Sequence, residues 1–67
     1  MITNKLSEIL GRKRMMQTEL SRLSGISYAT IKNIYQDKTN GMDFDTLNKL
    51  CNALECTPND ILEFIPD

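Results

Sequence analysis

Two apolar patterns on either side of one glycine constrain the fold of this chain more than any other feature. Between Gln17 and Gln36 the sequence reads QTELSRLSGISYATIKNIYQ, and its apolar residues recur at the spacing of two amphipathic helices. Gly25 lies between them, where a left-handed residue can end a helix without steric cost. The sequence therefore predicts two crossed helices joined by a tight turn, with Ser21 allowing close approach and one shared apolar seam formed by Leu20, Leu23, Ile26, Ile31 and Ile34.

The second of these helices, predicted from Tyr28 to Gln36, has an outer face that the seam does not use. Ser27 precedes it as a capping residue whose hydroxyl can accept from the Thr30 N–H. The outward residues carry hydrogen-bonding groups and one cation but no acid: Tyr28, Ala29, Lys32, Asn33 and Gln36. Such a face suits the donors, acceptors and methyl groups of a major groove. The pattern indicates a helix-turn-helix whose second helix reads duplex DNA.

A first helix is predicted before this unit. Thr3 or Asn4 can cap it, it runs to about Arg14, and Ile2 would close over its first turn. Its inward residues are predicted to be Leu6, Ile9 and Leu10.

Two more helices are predicted after it. Asp43 is the expected cap of a helix from Phe44 to Leu54, with an inward stripe formed by Phe44, Leu47, Leu50, Cys51 and Leu54. Thr57-Pro58-Asn59-Asp60 is typical of a helix start and predicts a fifth helix to about Phe64. Five short helices in 67 residues leave no room for a strand. The expected architecture is all-α, in one domain spanning residues 1–67.

Charge is divided unequally along the chain, although the net charge is only −1. Through Lys38 there are seven basic residues against three acidic ones, and from Thr39 onward one against six. The basic half contains the candidate reading helix, so a folded chain can present it to phosphates. Arg12, Lys13 and Arg14 either complement the end of the first helix or contact phosphate, and the two roles are compatible.

Composition argues against an enzyme or a metalloprotein. The chain has no histidine and no glycine-rich phosphate loop, and Cys51 and Cys56 are too few for a zinc site within one chain. We expect both cysteines to be reduced, and we expect no cofactor. No apolar run approaches the about 20 residues that a membrane span requires. A cytoplasmic protein without a signal peptide is expected.

These residues resemble the Cro and lambdoid-repressor class of helix-turn-helix domain, often called XRE-type. The matched residues span most of the chain: Gln17, Glu19-Leu20, Gly25-Ile26-Ser27, Thr30-Ile31, Ile34, Leu47, Leu50, Ala53-Leu54 and Thr57-Pro58-Asn59-Asp60-Ile61-Leu62. The resemblance implies a lambda-repressor-like fold and a sequence-specific regulator of transcription, with a repressor favoured. It also implies a homodimer that binds operator DNA.

Functional residues carried over from the resemblance fall into two groups. Base contacts are implied at Ser27, Tyr28, Ala29, Lys32 and Asn33. Contacts to the DNA backbone are implied at Gln17, Thr18, Gln36 and Lys38.

The sequence departs from the family pattern at three places. Leu10 and Tyr35 stand where many members pair an arginine with a glutamate, so an apolar contact is expected there. Asp37 replaces a glycine after the third helix, and Met16 replaces the usual cap before Gln17. The uncapped helix start would leave its N–H groups for a phosphate or for water.

A different class of function also fits part of the sequence. The acidic second half and the apolar ending of Leu62, Phe64 and Ile65 could serve a protein-interaction module, such as an antitoxin-like accessory subunit. Closure of the core is the alternative explanation of that ending.

Overall fold

Five consecutive helices lie between two short strands in a computed structural model that describes residues 1–67. In order they are β1 (Ile2–Asn4), α1 (Leu6–Lys13), α2 (Gln17–Ser24), α3 (Tyr28–Tyr35), α4 (Phe44–Leu54), α5 (Pro58–Ile61) and β2 (Leu62–Phe64). The five-helix prediction is confirmed, and α4 has the predicted bounds. None of these helices has both the length and the apolar character needed to cross a bilayer.

One hydrophobic core joins all five helices. It contains ten buried side chains, all of them apolar: Leu6, Ile9, Leu10, Leu20, Ile26, Ile31, Ile34, Leu50, Leu54 and Ile61. The predicted inward stripe of α1 is confirmed, as are four of the five seam residues of α2 and α3. Leu23 is the exception, because its side chain is 47% exposed.

The prediction for Phe44 is wrong. Phe44 is the first residue of α4 and is 87% exposed, whereas Leu50 and Leu54, about two and three turns further along, are buried. Asp43 does cap α4 as predicted, since its Oδ1 accepts from the Thr46 N–H at 2.8 Å. The apolar stripe of α4 therefore reaches the core only after the first turn.

The expectation that the chain has no strand is also wrong. Strands β1 and β2 pair antiparallel, with Ile2 opposite Phe64 and Asn4 opposite Leu62. The fifth helix ends at Ile61 instead of about Phe64, because the residues after it turn extended and satisfy their backbone groups against β1. We call this pair of strands the terminal ribbon. Its two strands are about 60 residues apart in the sequence. Hydrophobic periodicity is a local pattern, so it does not predict pairing between such distant segments.

The start of α1 also differs from its prediction. Lys5 occupies the capping position and makes no side-chain capping bond, while Asn4 lies in β1 and accepts from the Leu6 N–H through Oδ1 at 3.1 Å. Ile2 does not close over α1, since it belongs to the ribbon and is 63% exposed. The helix ends at Lys13, one residue earlier than expected, because Arg14 is left-handed with φ 52°.

Candidate nucleic-acid interface

The turn between α2 and α3 is fixed by hydrogen bonds between two serines of α2 and the backbone of Ile26. Gly25 ends α2 in the left-handed region with φ 76°. The Ser21 hydroxyl donates to the Ile26 carbonyl at 2.6 Å, and the Ser24 hydroxyl accepts from the Ile26 N–H at 3.2 Å. Ile26 itself is buried. The turn therefore holds the angle between the two helices.

Ser27 caps α3 as predicted. Its hydroxyl oxygen accepts from the Thr30 N–H at 3.3 Å, and the hydroxyl donates to Thr30 Oγ1 at 2.9 Å. Both side chains are exposed, so the capping pair borders the outer surface at the start of α3.

The two faces of α3 differ sharply in exposure. Ile31 and Ile34 are buried against the core. Every outward residue named by the sequence is exposed to solvent: Ser27, Tyr28, Ala29, Lys32, Asn33 and Gln36. No acidic residue occurs in the helix itself. The outer face is therefore free to meet a ligand that offers donors, acceptors and negative charge.

Two surface grooves border α3 and bring the sequence-predicted residues together. A groove of about 440 Å³ lies between α3 and the loop after it, and its lining includes Asn33 and Lys38. A second groove of about 280 Å³ lies beside the start of α2, where Gln17 and Thr18 adjoin Tyr28. Predicted base-reading and backbone-binding residues thus lie side by side on both flanks of the helix.

The start of α2 lacks a side-chain cap, as expected from Met16. The N–H groups of its first turn therefore have no side-chain acceptor. Gln17 has its Oε1 atom buried without a hydrogen-bond partner, so the amide nitrogen is the end of this side chain left for an outside acceptor. Thr18 beside it is exposed.

Two acidic groups of the second half lie away from α3, whereas a third, Asp43, lines the groove beside α3 with Asn33 and Lys38. Glu55 and Asp60 line a different groove, together with Arg12 and Lys13 of α1. Hydrogen bonds from Thr57 hold the pKa of Asp60 below its usual value of 3.8, with smaller contributions from Lys5 and Arg12. Part of the basic half therefore faces acidic groups, while Lys32 and Lys38 stay exposed beside α3.

The relationship of the chain to known proteins agrees with this geometry. The family model described as the Cro/C1-type HTH DNA-binding domain matches residues 5–67. The chain belongs to this Cro/C1-type HTH family.

One similar protein supports the same family, and one solved structure supports the fold. This Cro/C1-type domain is 39% identical over 59 residues to YozG of Bacillus subtilis (strain 168), an uncharacterized HTH-type transcriptional regulator, covering 88% of this chain and 70% of that protein. Its fold matches the crystal structure of a proposed DNA-binding protein from Bacteroides fragilis with a TM-score of 0.80 at 24% identity, covering 94% of this chain and 100% of that one. This Cro/C1-type chain is a DNA-binding transcriptional regulator.

The domain has residues beside α3 that the sequence did not single out. Thr30, Thr39 and Asn40 line the same groove as Asn33 and Lys38. Thr30 was named only as the amide that Ser27 caps and as one of the residues that carry the family resemblance, and no role was assigned to Thr39 or Asn40. Their polarity next to Lys38 was the available signal, but their position beside α3 depends on how the loop folds back.

Proposed function

We propose that this regulator binds operator DNA by placing α3 in the major groove. The observation that carries the proposal is the outer face of α3, which is exposed, polar and free of acids. A helix fits the major groove of B-form DNA, where each base pair presents a distinct pattern of donors and acceptors. The proposed base contacts are Ser27, Tyr28, Ala29, Lys32 and Asn33. The whole chain, residues 1–67, acts as one DNA-binding domain without enzymatic activity.

The side chains on α3 suit particular base edges. The Asn33 carboxamide can bind adenine N6 and N7 with two hydrogen bonds, and the Ala29 methyl can contact the thymine methyl. Lys32 can donate to a guanine edge or to a phosphate. Tyr28 is 47% exposed at the first turn, the part of a reading helix that lies deepest in the groove.

Contacts to the DNA backbone are proposed on both sides of the reading helix. The uncapped N–H groups of α2, with Gln17 and Thr18, favour a phosphate at the helix start. Gln36 and Lys38 are exposed at the other end of α3 and suit a phosphate there. Contacts at both ends would fix the register of α3 along the groove.

We propose that the chain binds DNA as a homodimer and that the exposed apolar residues of the terminal ribbon form the dimer interface. Two copies would place their α3 helices in successive major grooves about one helical turn apart. A dimer bound to an operator prevents other proteins from binding the same DNA, so repression is the proposed outcome. The proposed location is the cytoplasm, where bacterial DNA resides.

Binding of duplexes selected from a random pool at physiological salt tests the proposal. We expect Asn33→Ala to cost about 1 to 3 kcal/mol at one base pair and to relax specificity there. Asn52→Ala is the matched control, since Asn52 is exposed on α4.

Lys38→Ala tests the backbone contact in the same assay. It should weaken all duplexes alike and lower the salt slope by about one unit. Lys49→Ala removes the same charge from α4 and should leave both quantities nearly unchanged. Unaltered binding by both the Asn33 and Lys38 variants would refute this placement of α3.

A protein-interaction module is the second candidate, and one observation favours it. Phe64 is 65% exposed and Ile65 is 46% exposed, whereas Leu62 packs against the core. Core closure therefore accounts for only part of the apolar ending. A chain that sediments as a monomer at high concentration and shows no DNA affinity would support this second function.

A further inference from the structure

The chain leaves α3 through a strained residue. Asp37 has φ 58°, a left-handed conformation that is unfavourable for residues with a side chain. Its N–H donates to the Ile34 carbonyl at 3.1 Å, and the Lys38 N–H donates to the Asn33 carbonyl at 2.8 Å. These bonds set the direction of the loop, so the location of Lys38 depends on Asp37 keeping this conformation.

One side chain from the opposite end of the sequence holds this turn. Asn4 Nδ2 donates to the Ile34 carbonyl at 3.1 Å and to Asp37 Oδ1 at 2.9 Å. Its Oδ1 accepts from the Leu6 N–H at 3.1 Å. Both amide hydrogens and the amide oxygen of Asn4 are therefore used. This single residue connects β1, the start of α1 and the end of α3.

The chemistry of this contact requires a carboxamide. The side chain must donate twice, to a carbonyl and to a carboxylate, and accept once from a backbone N–H. Alanine offers none of these groups, and an aspartate would place a second carboxylate against Asp37. A hydrogen bond to a carboxylate is also stronger than one between neutral groups. The bond from Asn4 to the Ile34 carbonyl is partly buried, and the bond to Asp37 is exposed.

We propose that Asn4 is a positioning residue for DNA recognition. It acts through Ile34 and Asp37, which set the end of α3 and the path of the chain to Lys38, and it does not contact DNA itself. Because β1 pairs with β2, the terminal ribbon is thereby coupled to the reading helix. This inference rests on the placement of α3 in DNA proposed above.

Removal of the Asn4 side chain is the first test. Asn4→Ala should weaken binding to a selected duplex about tenfold, as expected for the loss of a charge-assisted hydrogen bond. Asn52→Ala is again the matched control and should bind as the unmodified chain does. Circular dichroism at the assay temperature establishes that each variant is folded.

The second test separates positioning from stability by changing Asp37. Asp37→Asn and Asp37→Gly remove the same negative charge from the DNA-binding side, so their difference excludes the charge effect. Asparagine keeps an oxygen that can accept from Asn4 and tolerates the left-handed region. Glycine adopts that region freely but offers no acceptor.

Binding should therefore differ between these two variants without a matching loss of stability. We expect Asp37→Gly to unfold at the same temperature as Asp37→Asn or higher, and yet to bind the selected duplex about three- to tenfold more weakly, as loss of one hydrogen bond predicts. A purely structural role for the contact would give the more stable variant equal or better binding.

The possible outcomes separate this inference from the proposed function. If Asn4→Ala binds normally, or if it is unfolded and the two Asp37 variants bind equally, Asn4 does not position α3. If Asn33→Ala and Lys38→Ala weaken binding while the Asn4 and Asp37 variants do not, only the positioning role is refuted. If none of them affects binding, the placement of α3 is wrong.

Discussion

The helix-turn-helix and the terminal ribbon use apolar residues in opposite ways. In α3, Ile31 is fully buried and Ile34 is 3% exposed, and the polar side faces outward. In the ribbon, the opposed residues Ile2 and Phe64 are 63% and 65% exposed. The first surface suits a charged, hydrogen-bonding ligand such as DNA, and the second suits an apolar protein surface. A chain of 67 residues thus has two exposed surfaces of different chemistry.

The largest expected effect tests the buried side of this contrast. Ile31→Ala should lower the free energy of unfolding by about 2–5 kcal/mol, because the removed atoms leave a cavity in the core. Phe64→Ala should change it by less than about 0.5 kcal/mol in the monomer, as is usual for exposed positions. Urea unfolding at low protein concentration measures both. Equal losses would show that the ribbon residue is part of the core.

The next effect concerns the exposed side. Phe64→Ser should weaken self-association about tenfold to a hundredfold, as expected from the about 1.5–3 kcal/mol gained by burying a large apolar side chain. Phe44→Ser is the matched control, because Phe44 is 87% exposed but lies outside the ribbon. Sedimentation equilibrium measures the dissociation constants. An effect of the Phe44 variant alone would move the dimer surface to α4.

A smaller effect is expected at the start of α3. Ser27→Ala should cost about 1 kcal/mol of stability, because the Thr30 N–H loses its acceptor. Ser7→Ala removes an exposed hydroxyl from α1 without breaking a capping bond and should be neutral or slightly stabilising. Thermal unfolding of the pair measures the difference. No difference would mean that the turn alone holds α3.

The smallest expected effect is a loss of folding stability at low pH, which does not involve α3 or the terminal ribbon. Hydrogen bonds from Thr46 lower the pKa of Asp43 below 3.8, and bonds from Thr57 do the same for Asp60. Their stabilisation is therefore complete above pH about 4 and is lost as the pH falls through the lowered folded-state values. Unfolding measured from pH 6 to pH 2.5 should show this loss. The double variant D43N/D60N should show a shallower one, and an unchanged slope would assign the loss to other carboxylates.

Local patterns predicted most of the helical structure. The helices after the caps Ser27 and Asp43 start at the predicted residues. Each cap accepts a hydrogen bond from an N–H only three residues later, so the signal is local in the sequence. The outward residues of α3 could likewise be named from helical spacing, and all of them are exposed. Their contacts to DNA stay predictions.

The parts that sequence analysis missed depend on distant segments of the chain. Nothing near Ile2 or Phe64 indicates that they pair, and the contact between Asn4 and Asp37 spans 33 positions. Phe44 fits the apolar stripe of α4 by spacing, but its exposure depends on whether another element covers the first turn. An apolar contact between Leu10 and Tyr35 was expected in place of the family's ion pair. Leu10 is buried, whereas Tyr35 is 37% exposed.

Because α3 is short, one copy of the chain can contact only a few base pairs and therefore has limited sequence selectivity. Eight residues give a helix ~12 Å long at ~1.5 Å per residue, which spans only about four base-pair steps of ~3.4 Å. A given sequence of four base pairs recurs by chance roughly every few hundred base pairs. One copy of α3 would therefore have matching sites throughout a bacterial chromosome. Two such helices held at a fixed separation would square that selectivity, so the proposed dimer would recognise far fewer chromosomal sites than one copy.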